Sequence, residues 1–76
     1  MSGQRGYGVA LRLDAFDKAV RLAGFKSDYL LARKMRVDRS TVSRVRNGNL
    51  RPGTAFIAGA LRVLHPLDFE DLFEVV

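Results

Sequence analysis

Two short helical patterns lie almost end to end in residues 27–48, SDYLLARKMRVDRSTVSRVRNG, and this stretch limits the possible folds more than any other feature. In the first pattern, Leu30, Leu31 and Met35 form an apolar stripe about two turns long. Ser27 precedes the stripe, and serine is a favoured residue at helix N-caps. The pattern predicts a helix that begins after Ser27 and ends near Arg36.

The second pattern predicts a helix over 38–46, in which only Val42 and Val45 are clearly apolar. Asp38 can cap its start, and the pair NG at 47–48 ends it. A stripe this narrow can dock the helix but leaves most of its surface, rich in Arg, Ser and Thr, without a partner inside the chain. This surface is therefore the first place to look for a function.

The rest of the chain predicts a small, mainly helical domain. The apolar residues of 9–13 alternate as in a half-buried strand, and FEVV at 73–76 offers a second short strand. The segments 9–13 and 72–76 can pair with each other or with a second subunit. Three more helical segments are indicated: one capped by Asp14 that ends at Gly24, one capped by Thr54 that ends before Pro66, and a single turn from Asp68 to Leu72.

Size and composition exclude several classes of protein. A chain of 76 residues supports one core, and we expect a single domain over 9–76 behind a flexible, glycine-containing arm at 1–8. The sequence contains no Cys and one His, so we expect no disulfide, no metal site and no cofactor. No nucleophile with a base partner can be assembled, which argues against an enzyme. Because no apolar run resembles a membrane span or a signal peptide, we expect a cytoplasmic protein without membrane contact.

Positive charge is concentrated around the two helical patterns. Residues 1–26 carry five Lys or Arg and two Asp or Glu (+3), residues 27–51 carry seven and two (+5), and residues 52–76 carry one and four (−3). A basic stretch of this kind usually binds a polyanion, although it can also be a solvated surface. Arg side chains can bond to guanine O6 and N7, and Ser and Thr hydroxyls can contact bases or phosphates.

Residues 27–52 resemble the lambda-repressor-like, Cro-type helix-turn-helix domains of phage and bacterial transcription regulators. The resemblance depends on LARK at 31–34, VDRSTVSR at 37–44, NG at 47–48 and Pro52, and it extends over 14–64 in helix order. It implies a bundle of four to five helices that binds operator DNA as a homodimer, with 38–46 as the recognition helix in the major groove. We therefore predict a repressor-like, nucleoid-associated regulator of transcription.

The resemblance also implies roles for individual residues. It implies base contacts from Arg39, Ser40, Ser43 and Arg44. It implies phosphate contacts from Ser27, Thr41, Asn47, Asn49 and Arg51, to which the sequence adds Arg46.

Three positions depart from the family pattern. Asp28 replaces a common Gln, and its carboxylate should repel phosphates unless a nearby Arg neutralises it or it caps the helix. Arg36 replaces a typical Gly, which costs about 1–2 kcal/mol if the turn is left-handed there. Arg46 replaces a common Glu, so we expect the ion pair of that Glu to be missing and Arg46 to be free for phosphate.

Two other functions are compatible with the sequence. The acidic residues 52–76 could bind a protein partner, such as a toxin or a polymerase subunit, with DNA binding secondary or absent. Binding of RNA or single-stranded DNA is disfavoured, because exposed aromatic residues do not alternate with basic ones.

Overall fold

Helices make up most of the described chain. The computed structural model describes residues 6–76, which form five helices and two strands. In chain order these are β1 (Val9–Leu11), α1 (Leu13–Leu22), α2 (Asp28–Met35), α3 (Arg39–Arg46), α4 (Thr54–Val63), α5 (Phe69–Leu72) and β2 (Phe73–Val75). The prediction of a mainly helical chain with two short terminal strands is confirmed. No helix in this part of the chain is long and apolar enough to cross a membrane.

The two strands pair with each other as an antiparallel two-stranded sheet. Val9 lies opposite Val75, and Leu11 lies opposite Phe73. The pairing continues beyond the strands, since the N–H of Gly8 donates to the carbonyl of Val76 and the N–H of Val76 donates to that of Gly8, both at 2.9 Å. Of the predicted arm, residues 1–5 lie outside the described residues, whereas Gly8 is part of the paired segment.

The core is built around phenylalanine rings. Phe56 of α4 lies between Phe16 of α1 and Phe73 of β2, with ring centroids 5.7 Å and 6.2 Å away. Each of the three side chains is at most 1 % exposed. Phe69, which is partly buried, packs against this cluster, with its ring centroid 5.3 Å from that of Phe73.

Two predicted helix starts are wrong by one or two residues. α1 begins at Leu13, not after Asp14. Its N-cap is Arg12, which follows β1 and whose Nε donates to the carbonyl oxygens of Glu70 and Phe73. Asp14 then lies in the first turn, where a carboxylate interacts favourably with the helix dipole. α4 begins at Thr54, and Gly53, with its extended backbone, is the N-cap.

α2 and α4 approach each other closely at Gly59. A Cβ atom at this position would lie 2.5 Å from the backbone oxygen of Met35. Because the contact is with backbone, a larger residue could fit only if the two helices moved apart. The lack of a side chain at Gly59 thus allows the end of α2 to pack directly against α4.

Candidate nucleic-acid interface

α3 contacts the core through the two residues that the sequence indicates. Val42 is fully buried and Val45 is 4 % exposed. Arg39, Ser40 and Arg44 are exposed. With 3.6 residues per turn, Ser40, Arg44, Ser43 and Asn47 fall on the side of the helix opposite Val42 and Val45, and Arg39 lies at its N-terminal margin. The predicted base-contacting residues therefore share one outward surface.

The arginines on this surface are exposed, and the described part of the chain provides no ion-pair partner for them. Among residues 6–76, no carboxylate forms an ion pair with Arg39 or Arg44. Asp38 is the N-cap of α3 by its extended backbone, but its side chain makes no capping hydrogen bond. The first turn of α3 therefore keeps backbone N–H groups that no capping side chain satisfies, and such groups attract anions.

Ser27 caps α2 as predicted. Its Oγ accepts a hydrogen bond of 3.1 Å from the N–H of Leu30, and its backbone is extended. The hydroxyl hydrogen of an accepting serine is still available to donate to a phosphate oxygen. The cap and the predicted phosphate contact are thus compatible.

The turn between α2 and α3 consists of three residues, 36–38, and begins in a left-handed conformation. Arg36 has φ 63° and ψ 42°, and is the one residue other than glycine with a positive φ among residues 6–76. The N–H of Val37 donates to the carbonyl of Ala32 at 3.0 Å, which closes the end of α2. The first residue of the turn thus has the left-handed conformation that glycine favours, although this residue is arginine.

The prediction that Arg46 is free of an intramolecular ion pair is wrong. Its guanidinium forms ion pairs with Asp17 of α1 and Asp28 of α2, and its Nε donates to Asp17 Oδ1 at 3.1 Å. The Cζ atom also lies 5.7 Å from the ring centroid of Phe16. Arg46 therefore ties α1, α2 and α3 together, and we remove it from the predicted phosphate contacts. We call Asp17, Asp28 and Arg46 the three-helix ion cluster.

The electrostatics of this cluster favour the charged guanidinium. Partial burial alone lowers the pKa of Arg46, but the hydrogen bond with Asp17 and the negative charges of Asp28 and Asp17 outweigh burial and raise it. The cluster also answers the question about Asp28. Its carboxylate is neutralised by a nearby Arg, which is the first of the two alternatives that the sequence left open.

The two long edges of the exposed α3 surface differ in charge. On one edge, Ser43 and Asn47 border the same depression as Asp17, Asp28 and Arg46, where two carboxylates face one guanidinium. This edge carries a net negative charge.

The opposite edge is basic. Thr41 lines a second depression together with Arg36, Arg51 and Asp38, where two guanidinium groups outweigh one carboxylate. The Arg51 side chain also lies against Gly8, since a Cβ atom there would be 3.7 Å from Nη1 of Arg51. The structure thus brings Thr41 and Arg51 together on one side of α3, and Ser43 and Asn47 on the other.

Asn49 is exposed just beyond the end of α3. Its N–H donates to the carbonyl of Arg44 at 2.9 Å, and Gly48 before it has φ 79°. Asn49 therefore lies at the C-terminal end of the helix, two residues after Asn47, the C-cap residue.

Asp17 is the residue of this region that the sequence did not reveal. It lies on the polar side of α1, 11 residues before Asp28 and 29 before Arg46. Nothing in local spacing links the three positions. One signal in the sequence could have indicated an ion pair here. Asp28 and Arg46 both depart from the pattern of the family that the sequence resembles, and their charges are opposite in sign.

Comparisons of this chain with protein-family models, with curated proteins and with solved structures found no match.

Proposed function

We propose that this protein is a sequence-specific double-stranded DNA-binding regulator of the lambda-repressor-like helix-turn-helix type, with α3 as the recognition helix. The observation that carries the proposal is the combination of burial and charge on α3. Two valines attach the helix to the core, while Arg39 and Arg44 are exposed and, within residues 6–76, unpaired. An α-helix fits the major groove, and paired Arg donors match O6 and N7 of guanine.

The charge difference between the edges of α3 suggests an orientation on DNA. Phosphates would lie along the edge that holds Thr41, Arg36 and Arg51, where they gain favourable charge. The edge beside Asp17 and Asp28 would face base edges or water, because phosphates are repelled there. Ser27 and Asn49 would contact the backbone at the ends of α2 and α3, whereas Asn47, which borders the depression of Asp17 and Asp28, would face base edges or water.

Two copies are proposed to act together, as a homodimer on two half-sites. A single small module buries too little surface for strong operator binding at physiological salt. A repressor-like regulator of this type would be found in the cytoplasm, associated with the nucleoid.

A second candidate function is supported by the acidic end of the chain. Asp68, Glu70, Asp71 and Glu74 are all exposed and lie within seven residues of sequence. This segment could bind a basic surface of another protein, with DNA binding secondary. Of the two functions, DNA binding accounts for the exposed α3 surface, and the alternative does not.

The test is selection of bound duplexes from a random double-stranded DNA pool, with wild type and Arg39→Ala/Arg44→Ala side by side. A matched control is Lys18→Ala/Arg21→Ala, which removes two exposed positive charges from α1. Loss of a bidentate Arg–guanine contact costs about 1–3 kcal/mol, so we expect the double variant to bind the selected motif at least about 25-fold more weakly. The control should keep the motif and lose affinity only slightly.

Binding should also weaken steeply with salt, with a slope in the log–log plot of about −0.9 per phosphate contacted. Recovery of no motif, or equal binding by wild type and the α3 variant, would reject DNA reading by α3. Capture of a protein partner that is lost in Glu70→Lys/Glu74→Lys would then support the interaction module.

A further inference from the structure

A groove lined by basic residues lies between the C-terminal ends of α1, α2 and α4. Its apolar lining includes Phe25, Met35 and Val63. Four basic residues border it: Arg33, Lys34, Arg36 and Arg62. No Asp or Glu lines this basic groove, so four positive charges surround one depression.

These charges are not used inside the described part of the chain. Among residues 6–76, none of the four forms an ion pair with a carboxylate. The Arg33 guanidinium stacks loosely on its neighbour Tyr29, with Cζ 5.8 Å from the ring centroid. The groove therefore has the charge of a site for an anionic partner, and Met35 and Phe25 add an apolar lining.

DNA bound to α3 does not account for this groove. None of the four predicted base-contacting residues lines it, and Ser43 borders a different depression beside α1. Arg36 borders both the basic groove and the depression beside Thr41, whereas Arg33, Lys34 and Arg62 border the groove and neither depression beside α3. These three charges therefore remain available while α3 contacts another molecule.

The chain itself carries a segment of complementary charge. Asp68, Glu70 and Asp71 lie on or next to α5, and Glu74 follows in β2; all four are exposed. We call residues 68–74 the acidic turn. Asp71 accepts a hydrogen bond of 2.8 Å from the N–H of Asp68, which keeps this short turn in shape. Of the four acids, only Glu74 has a basic partner within residues 6–76, Arg12 at 3.8 Å.

We propose that the basic groove of one copy binds the acidic turn of a second copy. Four positive charges on the groove match four negative charges on the turn, and no residue belongs to both surfaces. Since the groove and the turn of one chain are separate surfaces, their contact joins different copies. This self-association needs no DNA, and so it can be tested independently of the proposed function.

The experiment is sedimentation of the full chain without DNA, over a range of concentrations, at about 50 mM and about 300 mM salt. Three variants carry the test. The groove variant is Arg33→Glu/Lys34→Glu, the turn variant is Glu70→Lys/Glu74→Lys, and the third combines all four changes. The combined variant keeps the net charge of +5, so it controls for general repulsion.

Wild type should self-associate at low salt and dissociate at high salt. The groove variant and the turn variant should each associate about tenfold more weakly, because each turns two exposed attractions into repulsions. An equimolar mixture of the two should associate again, since the unchanged acidic turn of the groove variant can bind the unchanged basic groove of the turn variant. The combined variant should recover because its two reversed groove charges then face the two reversed turn charges. Lys18→Glu/Arg21→Glu, which reverses two exposed charges outside the groove, should behave like wild type.

A wild type that stays monomeric at every concentration at low salt would overturn the proposal. A folded combined variant that fails to recover association, with folding checked by circular dichroism, would also overturn it. Binding of a poly-glutamate peptide to the groove of a monomeric wild type would assign the groove to a different acidic partner. All variants retain Arg39 and Arg44, so loss of self-association and loss of DNA recognition can be told apart.

Discussion

Replacing Arg46 should show how strongly the three-helix ion cluster stabilises the fold. Arg46→Met keeps most of the unbranched apolar stem but removes the guanidinium, leaving Asp17 and Asp28 without their shared partner. Arg44→Met is the matched control, because Arg44 lies two residues earlier on the same helix, is exposed and forms no ion pair within residues 6–76.

The size of the effect follows from exposure and geometry. The Arg46 side chain is 24 % exposed and each carboxylate about 35 %, so water screens the pairs in part. A hydrogen bond to a charged group contributes about 1.5–3 kcal/mol in general, and an exposed pair about 0–1. Two half-buried pairs, together with weaker contact to the Phe16 ring, amount to about 2–3 kcal/mol. For a domain of this size that corresponds to a fall in Tm of about 10–20 °C.

The assay is urea unfolding followed by circular dichroism, with the free energy of unfolding compared among wild type, Arg46→Met and Arg44→Met. We expect Arg44→Met to change it by less than about 0.5 kcal/mol, as for most surface substitutions. Asp28→Asn should cost less than Arg46→Met, because Asp17 still binds Arg46. Equal stability of Arg46→Met and Arg44→Met would refute the conclusion that the cluster holds the three helices together.

Three further substitutions test other parts of the structure by the same unfolding assay. Gly59→Ala should lower the free energy of unfolding by about 2 kcal/mol, since the overlap with the Met35 carbonyl exceeds the gain of about 1 kcal/mol in helix propensity. An increase in this free energy would mean that α2 and α4 do not touch there. Arg36→Gly should raise it by about 1 kcal/mol through relief of the left-handed strain, and an unchanged or lower value would contradict that strain. Ser27→Ala should lower it by about 1 kcal/mol through loss of the cap to Leu30, whereas Ser27→Asp should largely retain it.

Local signals in the sequence were sufficient to place the helices. Ser27 and Asp38 mark the starts of α2 and α3, and Gly48 follows the end of α3, because caps and terminators act within one turn of the residues they serve. The errors at Asp14 and Thr54 arose where distant contacts or a neighbouring glycine set the start instead. The exposed surface of α3 was also predictable. Its two valines lie on one side of this eight-residue helix and are its buried residues, so the opposite side is exposed.

By itself, the sequence determined the order of the helices, the outward surface of α3 and the uneven distribution of charge. The tertiary structure decided how the charges are used. Arg46 looked free because its partners lie on two other helices, and ion pairing depends on distance in space, not along the chain. The packing of α1, α2 and α4 around a common core decided two further features. These are the pairing of β1 with β2 and the position of four basic residues around one groove.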